Sequence, residues 1–147
     1  MEKRINLAKT QPLANKAMYG LVDYLATSSI SKGIRQLVKI RASQINGCAF
    51  CLELNTPPTL KAGITLDKLI LLNAWRESAV FSVEERVALA LAEEITLIHR
   101  RGVSDEAYRQ ALSAFGEEGV AQLIMEVVAI NAWNRIAIAT RMELKDQ

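Results

Sequence analysis

Strand-like alternation is missing from this 147-residue chain: nowhere does an apolar–polar pattern of period two persist long enough to line one face of a sheet. Turn-formers are scarce as well, with three prolines and seven glycines, which excludes a loop-rich fold and long linkers. Aromatic residues make up only 5%, so the core must be aliphatic, with Trp75 and Trp133 as rare bulky anchors. Neither sign of charge is in excess: the net charge is +2. The one basic run (Lys32, Arg35, Lys39 and Arg41) spreads over more than one helical face without interleaved aromatics, so no nucleic-acid partner is expected. No uninterrupted apolar stretch reaches membrane-spanning length, and the opening MEKRINLAKTQPLANK holds no signal-peptide core. The expectation is a cytoplasmic protein with no membrane partner.

What is present favours helix. Half of the chain is hydrophobic, dominated by Ala, Leu, Ile and Val, and Ala and Leu lose little side-chain freedom in a helix. The length suits one domain. Leu13, Ala17, Met18, Leu21, Val22 and Leu25 recur at helical spacing and predict a helix over about 14–26. Ser29 or Ser31 can cap a second, running to about Ile45 with Ile34, Leu37, Val38 and Ile45 on one face and Arg41 among them. A third begins at about Cys48 and reaches Lys61 in some form with Gly63 as its C-terminal stop, and Thr65 caps a short one to about Asn73. Ser82 and Glu85 form a capping box opening a helix to about 100–102, and Ser104 caps another to about Phe115. Residues 117–142 read as one long helix. The prediction is an all-α fold with at least six helices and no sheet. The segments 83–98 and 120–139 are apolar on nearly every face, which predicts central burial or contacts between subunits.

The sharpest chemical signal is NGCAFC, with Cys48 and Cys51 three apart. A cysteine in the first turn of a helix meets unpaired N–H groups and the positive dipole end, which favour thiolate over thiol. A second cysteine three residues on shares its face, so the pair can close a disulfide with small adjustments. Two inert buried cysteines are the competing reading. A zinc site needs two further ligands, and with no other cysteine and a lone His99 far along the chain, no metal is expected. Glu93 and Glu94 stand in the apolar ALALAEEIT, where a carboxylate needs a partner or a task; a buried ion pair between Glu93 and Arg41 is favoured over catalysis, with both kept as supporting site residues.

The stretch QLVKIRASQINGCAFC, the following LKAG, then NAWRES, SVEERVALALAEEIT and VAINAWNRIAIATR closely resemble the carboxymuconolactone decarboxylase and alkylhydroperoxidase (AhpD-like) superfamily, in order, across roughly residues 13 to 141. The resemblance implies one AhpD-like helical domain assembling with copies of itself into trimers or hexamers. It further implies a thiol peroxidase motif, Glu-x11-Cys-x2-Cys-x3-His, without any bound cofactor. In that scheme Cys51 is peroxidatic and Cys48 resolving, the substrates are a hydroperoxide and a dithiol reductant, and Glu and His relay protons.

The relay is where this chain departs. The Glu position is Gln36 and the His position is Asn55; Phe50 stands where some relatives carry a further His. Amides hydrogen-bond but take up no proton near neutral pH, and a general base typically contributes about 10²–10⁴-fold. The resemblance therefore implies a thiol peroxidase impaired at its relay. Other readings are a non-enzymatic helical oligomer for binding or redox sensing and, lower, a carboxymuconolactone decarboxylase. Pro57 and Pro58 are expected to kink or stop the cysteine-bearing helix within a turn of Asn55.

Overall fold

The computed structural model describes residue 2 and residues 4–143. Along the chain run α1 (Leu7–Thr10), α2 (Pro12–Ala26), α3 (Lys32–Asn46), α4 (Ala49–Lys61), α5 (Leu66–Leu71), a 3-10 turn (Leu72–Ala74), α6 (Val83–Thr96), α7 (Ile98–Arg101) and α8 (Asp105–Thr140). No strand occurs among the described residues, and the all-α prediction holds.

The helix starts follow from their caps. The hydroxyls of Ser31, Thr65, Ser82 and Ser104 each accept the N–H three residues on, opening α3, α5, α6 and α8. The capping box is complete, because Glu85 also accepts the Ser82 N–H at 2.8 Å. α6 lies at the centre and packs on α3 and α8, while α3 also meets α4 and α8. Between them Leu37, Leu72, Leu89, Leu91 and Leu123 are almost fully buried. Each such side chain contributes about 1.5–3 kcal/mol by leaving water.

Several boundaries differ from expectation. α4 ends at Lys61 as expected, but it does not stop near Asn55 and continues through Pro57 and Pro58. The missing proline N–H groups leave the carbonyls of Glu53 and Leu54 without helical donors, and both residues are exposed. The flanking hydroxyls reinforce the turn: Thr56 donates to the Leu52 carbonyl at 2.7 Å and Thr59 to that of Asn55 at 2.6 Å. α6 ends earlier than expected, at Thr96, where Leu97 leaves helical geometry and the single turn α7 follows. Glu94 explains the tight connection, accepting from the Ser104 N–H and hydroxyl at 2.7 and 3.0 Å and drawing the start of α8 onto α6. The expected division after Phe115 falls at Gly116, whose φ of 67° suits glycine and breaks the run of α8.

α8 is long and apolar enough to cross a membrane by length and composition alone. Here its apolar side packs on the domain, with Glu126 and Asn134 buried there. α2, by contrast, is thinly covered: Leu25 is its one buried residue, while Leu13 is 81% exposed.

Candidate active site

The turn between α3 and α4 sets the cysteines. Gly47 takes the left-handed conformation after α3, with φ of 69°. The Cys48 N–H then returns to the Ser43 carbonyl at 3.0 Å. Cys48 is extended and caps α4: its Sγ accepts the Cys51 N–H at 3.3 Å. The two cysteines form a disulfide with their Cα atoms 5.3 Å apart, inside the usual window. Both are buried, in a small apolar cluster with Ala42, Ile130 and Ala137.

A polar clamp ties this turn to α8. Asn46 Nδ2 donates to Asn134 Oδ1 at 2.8 Å and to Asn131 Oδ1 at 3.0 Å. Asn134 Nδ2 donates to Ser43 Oγ, and Asn131 Nδ2 to Thr96 Oγ1, both at 3.0 Å. Asn134 is completely buried. Sequence reasoning assigned these residues no role, although Asn131 and Asn134 lie in the NAWN stretch that carries part of the family resemblance.

Both cysteines line a cavity of about 1240 Å³ between α2, α4, α8 and the N-terminal segment. Of the substituted relay positions, Asn55 lines it and Gln36 does not. Asn55 stands one turn beyond Cys51, and its Nδ2 donates to the Cys51 carbonyl at 2.8 Å. Gln36, on α3, touches α4 through Thr59, whose hydroxyl lies 3.5 Å from Oε1. The Thr59 hydroxyl donates at 2.6 Å to the backbone carbonyl of Asn55, so the Asn55 side chain itself does not meet Gln36. Phe50 lines the cavity too.

Glu93 and Arg41 lie elsewhere. Arg41 Nε donates to Glu93 Oε1 at 2.6 Å, as does Trp75 Nε1 at 2.9 Å, and Arg76 holds Oε2. Burial pushes the Glu93 pKa up, but the hydrogen bonds from Trp75, Arg76 and Arg41 and the charge of Arg41 outweigh it and hold the carboxyl below its ordinary range. Neither residue lines the cysteine cavity. The group is a core ion pair joining α3 to α6 and the segment before it.

The buried carboxylate that does line the cavity is Glu126 of α8, which sequence reasoning missed. Its Oε2 accepts from Arg35 Nε at 2.7 Å, and its Oε1 lies 3.1 Å from Lys39 Nζ. The signal was available: Glu126 is a lone charge in VAQLIMEVVAI, the kind of setting that singled out Glu93. Among the described residues no cluster of three His, Cys, Asp or Glu could hold a metal ion.

Comparison with known proteins places this geometry. The chain is 40% identical to the uncharacterized protein YdfG of Bacillus subtilis over 95% of both chains. Among solved structures it is similar to ATU0492 from Agrobacterium tumefaciens, a protein of unknown function whose suggested role is AhpD-type antioxidant defence, with a TM-score of 0.92, 35% identity and 97% of both chains covered. The debrominase Bmp8 shares the fold, with a TM-score of 0.79 at 19% identity over 93% of this chain and 73% of that one. The profile of the carboxymuconolactone decarboxylase family matches residues 12–94, which include both cysteines. The chain belongs to the carboxymuconolactone decarboxylase family and has the AhpD-like all-helical fold.

Proposed function

We propose that the protein is a thiol-dependent hydroperoxide reductase working through Cys51 and Cys48. The observation that carries this reading is the position of the pair: both sulfurs are close enough to bond and both stand in the wall of one large cavity. The suggested antioxidant role of ATU0492 points the same way.

The chemistry runs in three steps. The Cys51 thiolate attacks the outer oxygen of the hydroperoxide; an S–O bond forms, the O–O bond breaks, and the departing alkoxide takes a proton to leave as an alcohol. Cys48 sulfur then attacks Cys51 sulfur, forming the disulfide and releasing water. A dithiol supplies two electrons and two protons to restore both thiols. The N-cap geometry bears on the reductive half of this cycle. The Cys51 N–H that points at Cys48 Sγ stabilises negative charge there, making Cys48 the better leaving group when the disulfide is reduced. The reductant is then directed to Cys51, the sulfur that also meets the peroxide.

The test is hydroperoxide consumption with a dithiol reductant, in wild type, Cys51→Ser and Cys48→Ser. Cys51→Ser is expected to abolish consumption. Cys48→Ser is expected to keep one stoichiometric reaction, trapped as a sulfenic acid, and to lose dithiol-driven turnover. Unchanged turnover in Cys51→Ser would overturn the reading.

A further inference from the structure

We propose that Glu126 is the proton-handling group of the cysteine cavity, taking over from α8 the task that the amides Gln36 and Asn55 cannot perform; the inference rests on the peroxidase reading above.

Position is the first argument. Ile130 packs directly with Cys48 and Cys51, and Glu126 lies one turn before it on the same face of α8. Residues so spaced are neighbours, with Cβ atoms about 5–6 Å apart. Glu126, Cys48, Cys51 and Asn55 all line the same cavity. Glu126 is only 1% exposed and its Oε1 is buried, so the carboxylate sits in the wall of that cavity, shielded from bulk water.

Partner geometry is the second. Oε2 accepts from Arg35, whereas Oε1 lies within ion-pair range of Lys39 yet accepts no hydrogen bond among the described residues. One oxygen is therefore fixed and the other keeps acceptor capacity. A buried ion pair adds little net stability over a well-packed apolar replacement, so stability alone is a weak reason for this charge in the cavity wall. Arg35 and Lys39 against Glu126 leave the set with one net positive charge, which favours the thiolate and alkoxide formed nearby. Other charged or titratable groups lining the cavity are Glu2, Arg4 and Lys9 near the N-terminus, Tyr19 on α2, and Arg141 and Glu143 beyond α8.

The step balances. The Glu126 carboxylate takes the Cys51 thiol proton; the thiolate forms the S–O bond as the O–O bond breaks; the same proton passes from Glu126 to the departing alkoxide. The carboxylate is regenerated, leaving an alcohol and a sulfenic acid that Cys48 converts to the disulfide and water.

Two measurements on reduced Glu126→Gln, with folding checked by circular dichroism, test the assignment. Alkylation of the thiols by iodoacetamide across pH reports thiolate formation independently of peroxide. Removing the carboxylate leaves two cations uncompensated, so alkylation should move to lower pH and become faster at pH 6. Peroxide turnover should nevertheless fall, by about the 10²-fold that lost acid–base assistance costs. A merely structural or electrostatic role would move both rates together. Should Glu126→Gln not fold, Lys39→Gln keeps the Arg35 pair and is expected to move alkylation to higher pH. Turnover that is unchanged, or that rises with alkylation, overturns the assignment. Absence of peroxide turnover in the wild type overturns the peroxidase reading instead. Identical alkylation profiles in wild type and Glu126→Gln also overturn the role of Glu126.

Discussion

In a Glu126→Gln background, where the proton carrier on α8 is gone, restoring a family-type relay by Gln36→Glu with Asn55→His should raise the hydroperoxide rate, and the structure shows how the gain divides. Residue 55 follows Cys51 by one turn, lines the cavity and sits on an α4 that runs unbroken through both prolines. An imidazole there starts one turn from Cys51 in the wall of the same cavity, so Asn55→His alone should supply about 10- to 10²-fold of the general acid–base range. Gln36 is outside the cavity and reaches α4 only through the long Thr59 contact. Gln36→Glu alone should change the rate by no more than about 3-fold, because its carboxylate has no imidazole to orient. Together they should reach about 10²–10³-fold, roughly 3–4 kcal/mol of barrier. The assay is kcat/KM for an alkyl hydroperoxide with a dithiol reductant across pH. The restored variants should gain a limb near the ordinary histidine value of about 6.5. Pro57→Ala with Pro58→Ala is the control: the helix is already continuous, so the rate should stay within about 2-fold of the parent, inside the ~1 Å tolerance of a positioned group. Folded variants with no gain and no new limb would refute this reasoning, and a large gain from the proline changes alone would show that α4 geometry was the obstacle.

Two further outcomes are expected. Asn134→Ala removes the bonds to Asn46 and Ser43 and leaves the buried Ser43 hydroxyl without its donor, while Asn46 keeps Asn131; it should cost about 1–3 kcal/mol in urea unfolding. A loss below about 1 kcal/mol would show that the clamp is not structural. Glu93→Gln leaves Arg41 underpaired and should cost about 2–4 kcal/mol at pH 7, less than a fully buried pair because Arg41 is 16% exposed. Since the Glu93 pKa is held below its ordinary 4.5, its contribution is complete above that pH and disappears as the pH falls toward the folded value. Acid unfolding should therefore begin at higher pH in wild type, relative to its neutral stability, than in the variant; equal acid slopes would refute the linkage.

The legible parts of this fold were those written locally. Ser31, Thr65, Ser82 and Ser104 announce their helices because a hydroxyl cap acts over three residues, and Gly116 announces its break because only glycine enters that conformation easily. The Arg41–Glu93 pair was legible because a charge on an apolar stripe demands a partner. The reach of α4 to Lys61 was legible, but the stop expected at Pro57 and Pro58 is not met: the rule describes the lost N–H groups but not Thr56 and Thr59, whose hydroxyls reinforce the same turns. Glu126 carried the same signal, a lone charge in an apolar run, and was passed over; the signal shows that a partner is needed, but not that Arg35 and Lys39, 91 and 87 residues back on α3, supply it. The cavity was illegible for the same reason, being lined by α2, α3, α4, α8 and the N-terminal segment together.

These long-range contacts have a consequence for reading the family. The matched segment, residues 12–94, contains both cysteines, Gln36 and Asn55. It ends before Glu126, Asn131 and Asn134, which hold the cysteine turn and place a charge in the cavity wall. The reactive sulfurs are thus supplied by α4 and its cap, whereas much of their polar surroundings comes from α8. A change at Gln36 or Asn55 removes a proton carrier from one wall; a carboxylate at 126 adds one to the opposite wall without disturbing the cysteine spacing. The two walls can vary separately, because α3 bridges them: Gln36 meets α4 through Thr59, and Arg35, the neighbouring residue, meets α8 through Glu126. Loss of the motif's Glu and His is therefore not equivalent to loss of acid–base chemistry in this cavity, and the proton path has to be judged on α8 as well as on the matched segment.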